Sequence, residues 1–584
     1  MKNLELAELF SHTADLLAIL GANQFRVGAL KKVARVLEEL TEDVATLAGD
    51  DRLDALAGIG DKSAAHIREY LKHGKIGDFM SIAAEVPPGV LHMMSIPTVG
   101  PKTAGLLWKE GGILSVPQLK GEIEAGRLRD LPGLGEKKLQ NILQNIEHLS
   151  GTAGRIRQGP AQAVADALCA HLAKVPGVTA VEYCGSLRRG KETVGDIDIA
   201  VQAPVALQAE VAYAVTSHPL CADVIGSGPT KTSIRTAEGM QVDVRVVPAA
   251  NWGAALQYFT GSKEHNVHLR ELAIKQHLKL NEYGVFCGTE FIAGATEASV
   301  YAALGLACPS PELREDRGEI EKAVDLFTHG TTFPPVLELL DICGDLHMHT
   351  LASDGRNSIA DMVAEAKRRG YQYVAITDHS KSQVQAHGLS VARLIEHIAA
   401  VRAVAYKVPD MLIWVGAEVD ILADGSLDYE DEVLKKLDWV VASPHAALTQ
   451  DSAAATRRLV RAASHPLVDV VGHPTGRLVP DRKGLEPDMA EVIKAARRSG
   501  AALELNANWH RLDLCDRHLQ MAAAAGVPVC INTDAHSVED FDMMRFGVRY
   551  ARRAGLLPAQ VLNCKSAEEL QQWKKRRLEM QTSW

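Results

Sequence analysis

The chain has 584 residues, 47% of them hydrophobic and 23% charged, which is ordinary for a globular protein and predicts roughly four domains. Its net charge of −10 argues weakly against a nucleic-acid partner, although metal-binding carboxylates add negative charge and backbone N–H groups also bind phosphate. The nine cysteines form no C-x-x-C pair, no apolar run has transmembrane length, and the first residues are unlike a signal peptide. We therefore expect no disulfide framework, no cysteine zinc site and no membrane partner, but a cytoplasmic protein with reduced thiols.

Residues 1 to about 150 show helical spacing of apolar residues and repeat one short motif. An apolar residue precedes a Gly-x-Gly or Thr-x-Gly turn, and a lysine opens the next helix, in Leu56–Lys62, Ile96–Lys102 and Leu131–Lys137. Glycines allow the tight turn, and N–H groups at the following helix start point at a phosphate. A single Gly-x-Gly can simply end a helix, but three copies followed by lysine favour DNA binding without sequence readout.

This repeat resembles the helix-hairpin-helix motif. The resemblance implies DNA contacts from Gly58, Gly60, Lys62, Gly100, Lys102, Gly133, Gly135 and Lys137. The middle copy has Thr98 in place of the first glycine, which leaves a purely structural role open for it. Relatives with 5′-deoxyribose-phosphate lyase activity use a lysine one turn beyond the first hairpin lysine, where this chain has His66. A histidine cannot form the required imine, so lyase activity is doubtful.

The run from Gly185 to Val201 contains two aspartates, Asp196 and Asp198, in an alternating segment typical of a half-buried strand. Period two puts both on one face about 7 Å apart, where they repel each other unless cations lie between them. Asp243, on the alternating segment Gln241–Val247, could complete an oxygen-only site for Mg²⁺ or Mn²⁺. A bare D-x-D is more often a pair of solvent-facing aspartates. The preceding Gly185-Ser186 turn and the planar guanidinium of Arg189, which can bind two phosphate oxygens at once, favour phosphate chemistry.

The G-S-x-R-R-G…G-D-x-D pattern resembles the nucleotidyltransferases, specifically the family X DNA polymerases (polymerase beta-like). The resemblance implies that Asp196, Asp198 and Asp243 are the catalytic metal ligands. A second match, Tyr258–Lys263, resembles the family's Y-F-T-G-S segment, although core packing alone could explain its two aromatic residues. The resemblance implies nucleotide contacts from Arg155, Gly185, Ser186, Arg189, Gly195, Tyr258, Phe259, Gly261 and Asn266, and a DNA contact from Arg270.

The C-terminal third alternates short apolar runs with helical stretches, and a ligand-type residue follows almost every run. Such runs predict buried parallel strands, and ligands at their carboxyl ends are what a β/α barrel presents on its active face. A mixture of histidines and carboxylates suits Zn²⁺, Mn²⁺ or Fe²⁺. The basic run Lys574–Arg577 predicts a solvated helix face.

The order of these residues resembles the PHP (polymerase and histidinol phosphatase) domain. The resemblance implies up to three ions, Zn²⁺ or Mn²⁺, held by three ligand sets: His347, His349, Glu418 and Asp534; Glu418, His445 and His473; Asp354, His379 and His536. His387, His465 and His510 are expected to be non-ligands. Clustered cations suit phosphoester hydrolysis, and on a polymerase this implies 3′→5′ exonuclease activity, with AP endonuclease or 3′-phosphatase activity as variants.

The sequence thus predicts a multidomain protein of α and α/β class. It combines an all-α helix-hairpin-helix N-terminal region, an α+β nucleotidyltransferase palm and a C-terminal distorted (β/α)7-type PHP barrel. The expected parts are a lyase-like helical DNA-binding domain (1–85), helix-hairpin-helix fingers (86–150), palm (151–235), the rest of palm and thumb (236–325), a linker (326–340) and a PHP phosphoesterase domain (341–584).

The predicted function is a DNA-directed DNA polymerase that fills short gaps in repair and carries a second, hydrolytic site. The expected partners are gapped or primed DNA and dNTPs, and we expect a nucleoid-associated monomer. Two alternatives stay open: a DNA-end-binding PHP phosphoesterase without polymerase activity, and a small-molecule phosphatase, for which the DNA-binding hairpins have no use.

Overall fold

The computed structural model describes residues 2–582 except 41–43, 51, 54–55, 57, 95, 97–98, 130, 132–133, 137, 144–145, 147–154 and 229. The chain forms two compact units. The first comprises Met1–Ile156, Leu172–Glu182 and Ala200–Ala307, and the second Arg157–His171, Tyr183–Ile199 and Cys308–Trp584. The boundaries expected from sequence stay a prediction. Within the described residues, every helix is too short or too polar to cross a membrane.

The N-terminal part of the first unit is helical, as predicted, and packs around one apolar core that includes Phe10, Leu37 and Ile67. Helix starts follow local capping chemistry: Asn23 accepts a hydrogen bond from the backbone of Phe25, one of the N–H groups that a helix leaves without an internal partner. The helices are Lys2–Ile19, Gln24–Glu39, Val44–Gly49, Asp61–His73, Gly77–Glu85, Pro88–Met93, Pro101–Lys109 and Val116–Glu124.

The rest of the first unit has two sheets. In the larger, strands Gln241–Val247, Thr232–Arg235 and Asp223–Ser227 are antiparallel neighbours, and Ser233 lies opposite Asp243. Two further strands, Ala180–Tyr183 and Ile197–Gln202, contain residues assigned to both units. The smaller sheet is an antiparallel meander of Lys279–Asn281, Gly284–Cys287 and Glu290–Ala293. The helices here are Gln208–Thr216, Trp252–Thr260, Lys263–Lys275 and Glu297–Ala303.

The second unit is built on seven parallel strands that neighbour one another in chain order. They are Gly344–Asp345, Tyr373–Ile376, Leu412–Asp420, Trp439–Ser443, Val470–Val471, Ala502–Asn506 and Val529–Asn532. A parallel bridge between Met348 and Ala535 joins the first strand's end to the last, so the sheet nearly closes into a barrel. Nearly every strand residue is buried, as expected where helices cover a parallel sheet. The predicted seven-stranded barrel is confirmed.

Helices surround this barrel and pack on an apolar core. Those after residue 308 are Glu319–Thr328, Ile359–Arg368, Val391–Lys407, Asp431–Leu434, Ser452–Ala463, Met489–Ser499, Asp516–Ala524, Met544–Arg553 and Ala567–Thr582. The earlier segments of the unit contribute helices Gln158–Leu172 and Gly185–Arg188 and the short strand Thr193–Val194.

Helix Glu319–Thr328, on which Ile320 and Ala323 are buried, overlaps the first three residues of the segment expected as a linker, 326–340, and that linker stays a prediction. One local expectation differs from the structure. The basic run at 574–577 is not wholly solvated: Arg577 is 2% exposed and pairs with buried Asp469 at 2.8 Å. A run of charged residues lies wholly on the surface only if none of them pairs with a buried opposite charge.

Candidate functional site: metal cluster and polymerase motifs

The carboxyl ends of the barrel strands bring ligand-type side chains together. His347 and His349 follow the first strand, Glu418 lies near the end of the third, and Asp534 follows the seventh. Parallel strands present their carboxyl ends at one face of a barrel, so residues far apart in sequence converge there. All nine predicted PHP ligands belong to groups of potential ligand atoms lying within 4.8 Å of one another.

Glu418 lies at the centre of this cluster. Its two carboxylate oxygens approach five histidines at distances between 2.8 and 3.6 Å: His347, His349, His379, His445 and His473. A fully buried carboxylate among five imidazoles is the expected surrounding of a ligand shared between cations. The predicted bridging role of Glu418 stays a prediction that this geometry supports.

The grouping of the ligands differs from the expected sets. His349 lies with the trio that contains Asp354 and also, separately, with His347 and Asp534. The remaining groups combine Glu418 with different histidine pairs. The four groups are His349, Asp354, His379 and His536; His347, His349 and Asp534; His347, Glu418 and His473; His379, Glu418 and His445.

The donor atoms of the cluster fit bound cations. Among the described residues, His347 Nε2, His349 Nδ1 and Glu418 Oε2 are buried and have no hydrogen-bond partner. An unsatisfied buried polar atom costs about 1–3 kcal/mol, and a bound cation would satisfy these three. Imidazole nitrogens and carboxylate oxygens suit Zn²⁺ and Mn²⁺.

Protonation states differ across the cluster. Although burial alone would lower them, nearby carboxylates raise the pKa values of four ligand histidines, whose protons a cation would displace: His347, His379, His445 and His536. His349 and Glu418 are already in the forms that bind a cation. Burial lowers the pKa of His349 to about 4, helped by the neighbouring His536 and His379, so its imidazole is neutral near pH 7. Burial alone would raise the pKa of Glu418, but His445, His347 and His379 hold it well below its ordinary value. A neutral imidazole and an ionised carboxylate are the forms that bind a cation.

Two carboxylates that the sequence analysis missed orient these ligands. Glu504 Oε1 accepts a hydrogen bond from His347 Nδ1 at 2.8 Å, and its other oxygen accepts one from the backbone of His473 at 2.7 Å. Asp420 lies 2.6 Å from His445 Nδ1. Such contacts fix which ring nitrogen faces a metal. The available signal was a lone glutamate inside the apolar strand Ala502–Asn506, the one barrel strand without an assigned ligand.

Arg511 is a further missed residue at the same face. It lines a cleft of about 280 Å³ together with Asp354, His379, His445 and other ligand candidates. Its Nε lies 3.5 Å from Asp534 Oδ2. A guanidinium beside a metal cluster is suited to bind a phosphate oxygen. His465 and His510, expected to be non-ligands, pair with Asp431 and stack on Trp509 respectively, and His387 also lies outside the ligand groups found among the described residues.

The second unit also contains the aspartate loop, residues 185–198. Asp196 is exposed just before strand Ile197–Gln202, and Asp198 is half-buried within it. Gly185 has φ +63°, and a Cβ there would lie 3.0 Å from Asp198 Oδ2. Only glycine permits this close approach without strain. Asp198 is thus held against the Gly185 turn, which also contains Ser186, while Gly195 lies just before the aspartates.

Arg189, predicted to bind nucleotide phosphates, has a carboxylate partner in the structure: its Nε lies 2.8 Å from Glu315 Oε1. Its nucleotide contact stays a prediction, as do those of Arg155, which is exposed in the first unit, and of Ser186.

Asp243, the third predicted catalytic carboxylate, lies in the first unit. Lys231 Nζ is 2.7 Å from its Oδ2, and Gln241 donates to its other oxygen. Burial alone would raise the pKa of Asp243, but hydrogen bonds from Lys231, Ser233 and Gln241 outweigh burial and lower it. The carboxylate is therefore ionised at neutral pH, as a metal ligand must be. Its meeting with Asp196 and Asp198 stays a prediction.

The Y-F-T-G-S segment ends helix Trp252–Thr260, where Tyr258 and Phe259 pack edge to face with ring centroids 5.2 Å apart. Gly261 has φ +70°, and Asn266 donates a hydrogen bond to the Tyr258 carbonyl at 2.7 Å. Tyr258 and Arg270 line a cleft of about 260 Å³ with Arg35, Asn281, Tyr283 and their neighbours. One predicted nucleotide residue, Tyr258, and the predicted DNA residue Arg270 therefore share a cleft.

The hairpin motifs have the expected local form where they are described. Helix Asp61–His73 begins after Gly60, and helix Pro101–Lys109 after Gly100, with Lys62 and Lys102 exposed in the first turns. Gly58 has φ +112°, a conformation that favours glycine. Gly135 is exposed and accepts backbone hydrogen bonds from residues 138 and 139. Gly133, Lys137 and Thr98 lie outside the described residues.

His66 has a packing role in the structure. Its ring lies 4.9 Å from Phe79 and 6.4 Å from Phe10, between centroids. Its Nε2 also lies 3.4 Å from Asp78 Oδ2. The expected absence of lyase activity stays a prediction.

Comparisons with known proteins cover both units. Family models match a helix-hairpin-helix domain at residues 1–76, a SAM-like helix-hairpin-helix tandem at 90–147, the DNA polymerase beta thumb at 255–315 and the PHP domain at 345–508. The crystal structure of Leishmania infantum polymerase beta, a ternary P/T complex, aligns with 39% of this chain and 99% of its own at 21% identity and a TM-score of 0.33.

Two curated relatives differ in how much they match. A probable phosphatase of Syntrophotalea carbinolica is 29% identical over 38% of this chain and 90% of its own length. The DNA polymerase/3′-5′ exonuclease PolX of Bacillus subtilis (strain 168) is 36% identical over 99% of this chain and 100% of its own length. Because that similarity runs through the whole of both proteins, the chain belongs to the PolX family, the polymerase beta-like family X members with helix-hairpin-helix regions and a C-terminal PHP domain.

Proposed function

We propose that this chain is a DNA-directed DNA polymerase that fills short gaps during repair and trims DNA 3′ ends at a separate site in its barrel. The observation that carries the proposal is the presence, in one chain, of the aspartate loop and of a cluster containing all nine predicted barrel ligands. The full-length relative is named for the same two activities.

In the polymerase reaction, the primer 3′-hydroxyl oxygen forms a bond to the α-phosphorus of a dNTP, and the bond to pyrophosphate breaks. Asp196, Asp198 and Asp243 would hold Mg²⁺ or Mn²⁺, which would neutralise the charge that develops on the phosphates. Lys231 keeps Asp243 ionised until a cation replaces it. Tyr258 and Asn266 belong to one hydrogen-bonded segment suited to contact the incoming nucleotide.

In the barrel, the nine ligand residues would hold up to three ions, Zn²⁺ or Mn²⁺, which would activate water for phosphodiester hydrolysis. Glu504 and Asp420 fix the orientation of His347 and His445. Arg511 offers a positive charge to the phosphate of the DNA end. The match to probable phosphatases supports removal of a 3′-phosphate as a second reaction of this site.

The helix-hairpin-helix regions would hold the backbone of gapped or primed DNA, with Lys62 and Lys102 at the helix starts. We further propose a cytoplasmic, nucleoid-associated monomer that uses dNTPs as substrates.

Primer extension on gapped DNA and degradation of a 3′-labelled strand test both activities in one preparation. Asp198→Ala is expected to abolish extension and spare degradation, while His349→Ala is expected to do the opposite. Loss of both activities in either folded variant would contradict the two-site proposal. Degradation without any extension by the wild-type protein would instead favour a DNA-end phosphoesterase.

A further inference from the structure

The aspartate loop contacts Glu315 and three residues of the barrel region, all within the second unit. Glu315 is the centre of one contact: its carboxylate lies 2.8 Å from Arg189 Nε, 3.0 Å from Lys191 Nζ and 2.7 Å from Arg553 Nη1. Arg553 ends barrel helix Met544–Arg553 and also donates to the Arg189 carbonyl at 3.2 Å. Arg553 therefore contacts the backbone of Arg189 directly and its side chain through Glu315.

A second contact holds the same loop at Glu192. Arg477 Nη2 lies 2.8 Å from Glu192 Oε1, and the hydroxyl of Tyr550 donates to the same oxygen. Tyr550 lies on the same barrel helix as Arg553. Between the two contacts, Gly190 has φ +66°, and a Cβ there would lie 2.9 Å from Arg549 Cγ on that helix. The helix and the loop are thus in direct van der Waals contact as well as paired by charge.

The contact between Arg553 and Glu315 is buried. Arg553 is 3% exposed and Glu315 is 9% exposed, unlike most surface ion pairs, whose charges stay hydrated. Burial alone would raise the pKa of Glu315, but Arg553 and Arg189 lower it to about 2, so the carboxylate is ionised throughout the neutral range. A buried charged network with several fixed partners specifies one arrangement of the groups that it joins.

We propose that barrel helix Met544–Arg553 positions the aspartate loop for polymerisation, with Arg553 and Tyr550 as positioning residues. The phosphoesterase barrel would thus serve the polymerase site as a scaffold, independently of its own hydrolytic cluster. This inference rests on the proposed polymerase role of Asp196 and Asp198, which lie four and six residues beyond Glu192.

The test compares Arg553→Gln and the milder Tyr550→Phe, which removes a single hydroxyl, with the matched control Arg545→Gln. Arg545 lies on the same helix and pairs with the partly exposed Asp166 at 3.0 Å, away from the loop. For Arg553→Gln we expect kcat for primer extension to fall about 10-fold or more with KM for dNTP changed less than about 2-fold, since misplaced reacting groups lower kcat. Arg553→Lys, which keeps the positive charge, should recover part of this loss. Degradation of single-stranded DNA should stay at the wild-type rate in every variant.

Hydrogen exchange in peptides covering residues 185–198 gives a readout that needs no activity. It should accelerate by about 10-fold or more in Arg553→Gln, less in Tyr550→Phe and not in Arg545→Gln. Unchanged exchange and unchanged kcat in folded Arg553→Gln would overturn the inference. If the wild-type protein fails to extend primers while exchange still responds to Arg553→Gln, the proposed polymerase function fails and the positioning contact stands.

Discussion

Glu504 is expected to control how tightly the barrel cluster binds cations, and Glu504→Gln tests this. The carboxylate is fully buried and accepts hydrogen bonds from His347 Nδ1, from the backbone of His473 and, at 2.9 Å, from Asn532. A glutamine keeps the volume but removes the charge and puts an NH₂ group where one oxygen accepts.

The size of the effect follows from these contacts. Removing a residue that orients a metal-binding histidine lowers metal affinity or activity about 10–100-fold, or roughly 1.4–2.8 kcal/mol. A buried donor left without an acceptor adds about 1–3 kcal/mol to the loss of folding stability. We therefore expect the dialysed variant to hold less Mn²⁺ or Zn²⁺ and to need a higher metal concentration for degradation of a DNA 3′ end.

The assay is elemental analysis after dialysis, followed by metal titration of exonuclease activity. Glu432→Gln, at a side chain 83% exposed and far from any cluster ligand in sequence, is the control for charge and handling. Primer extension should stay unchanged in Glu504→Gln, because the aspartate loop does not contain this residue. Wild-type metal content together with wild-type exonuclease activity in Glu504→Gln would refute the reasoning.

Three further predictions use other parts of the molecule. Glu315 has a folded pKa of about 2 against an ordinary 4.5, so its ionised form adds about 3 kcal/mol to folding stability above pH 4.5 and loses this as the pH falls towards 2. The difference in unfolding temperature between wild type and Glu315→Gln should therefore narrow over that pH range. A constant difference would contradict this. Gly185→Ala should impair primer extension and spare degradation of a DNA 3′ end, because an alanine in this left-handed conformation costs about 1–2 kcal/mol and its Cβ displaces Asp198. Equal loss of both activities would show that the effect is not local to Asp198. Arg511→Gln should raise KM for degradation of a DNA 3′ end about 10-fold, because a charged hydrogen bond to the substrate is lost, and should leave primer extension unchanged. An unaltered KM would show that Arg511 does not contact the substrate.

Much of the fold and site could be predicted because the signals are local. Short apolar runs, most of them followed by a ligand-type residue, predict parallel strands whose carboxyl ends meet, and in the structure His347 Nε2 lies 3.3 Å from Glu418 and 3.6 Å from Asp534. The Gly185-Ser186 turn and the alternating Asp198 strand are likewise set by neighbouring residues. Helix Glu319–Thr328, which overlaps the start of the expected linker, is local too, since its buried face comes from residues of the helix itself.

By itself, the sequence predicted which residues could bind metal and which strands hold them, since these depend on residue type and short spacing, and it is the source of the proposal that the hairpins bind DNA phosphates. Only the tertiary structure decided which ligands share a group, that Glu504 orients His347 from 157 residues away, and that Arg553 reaches the Arg189 backbone across 364 residues. Those contacts depend on how the barrel closes and which helices cover it, and a local sequence pattern determines neither.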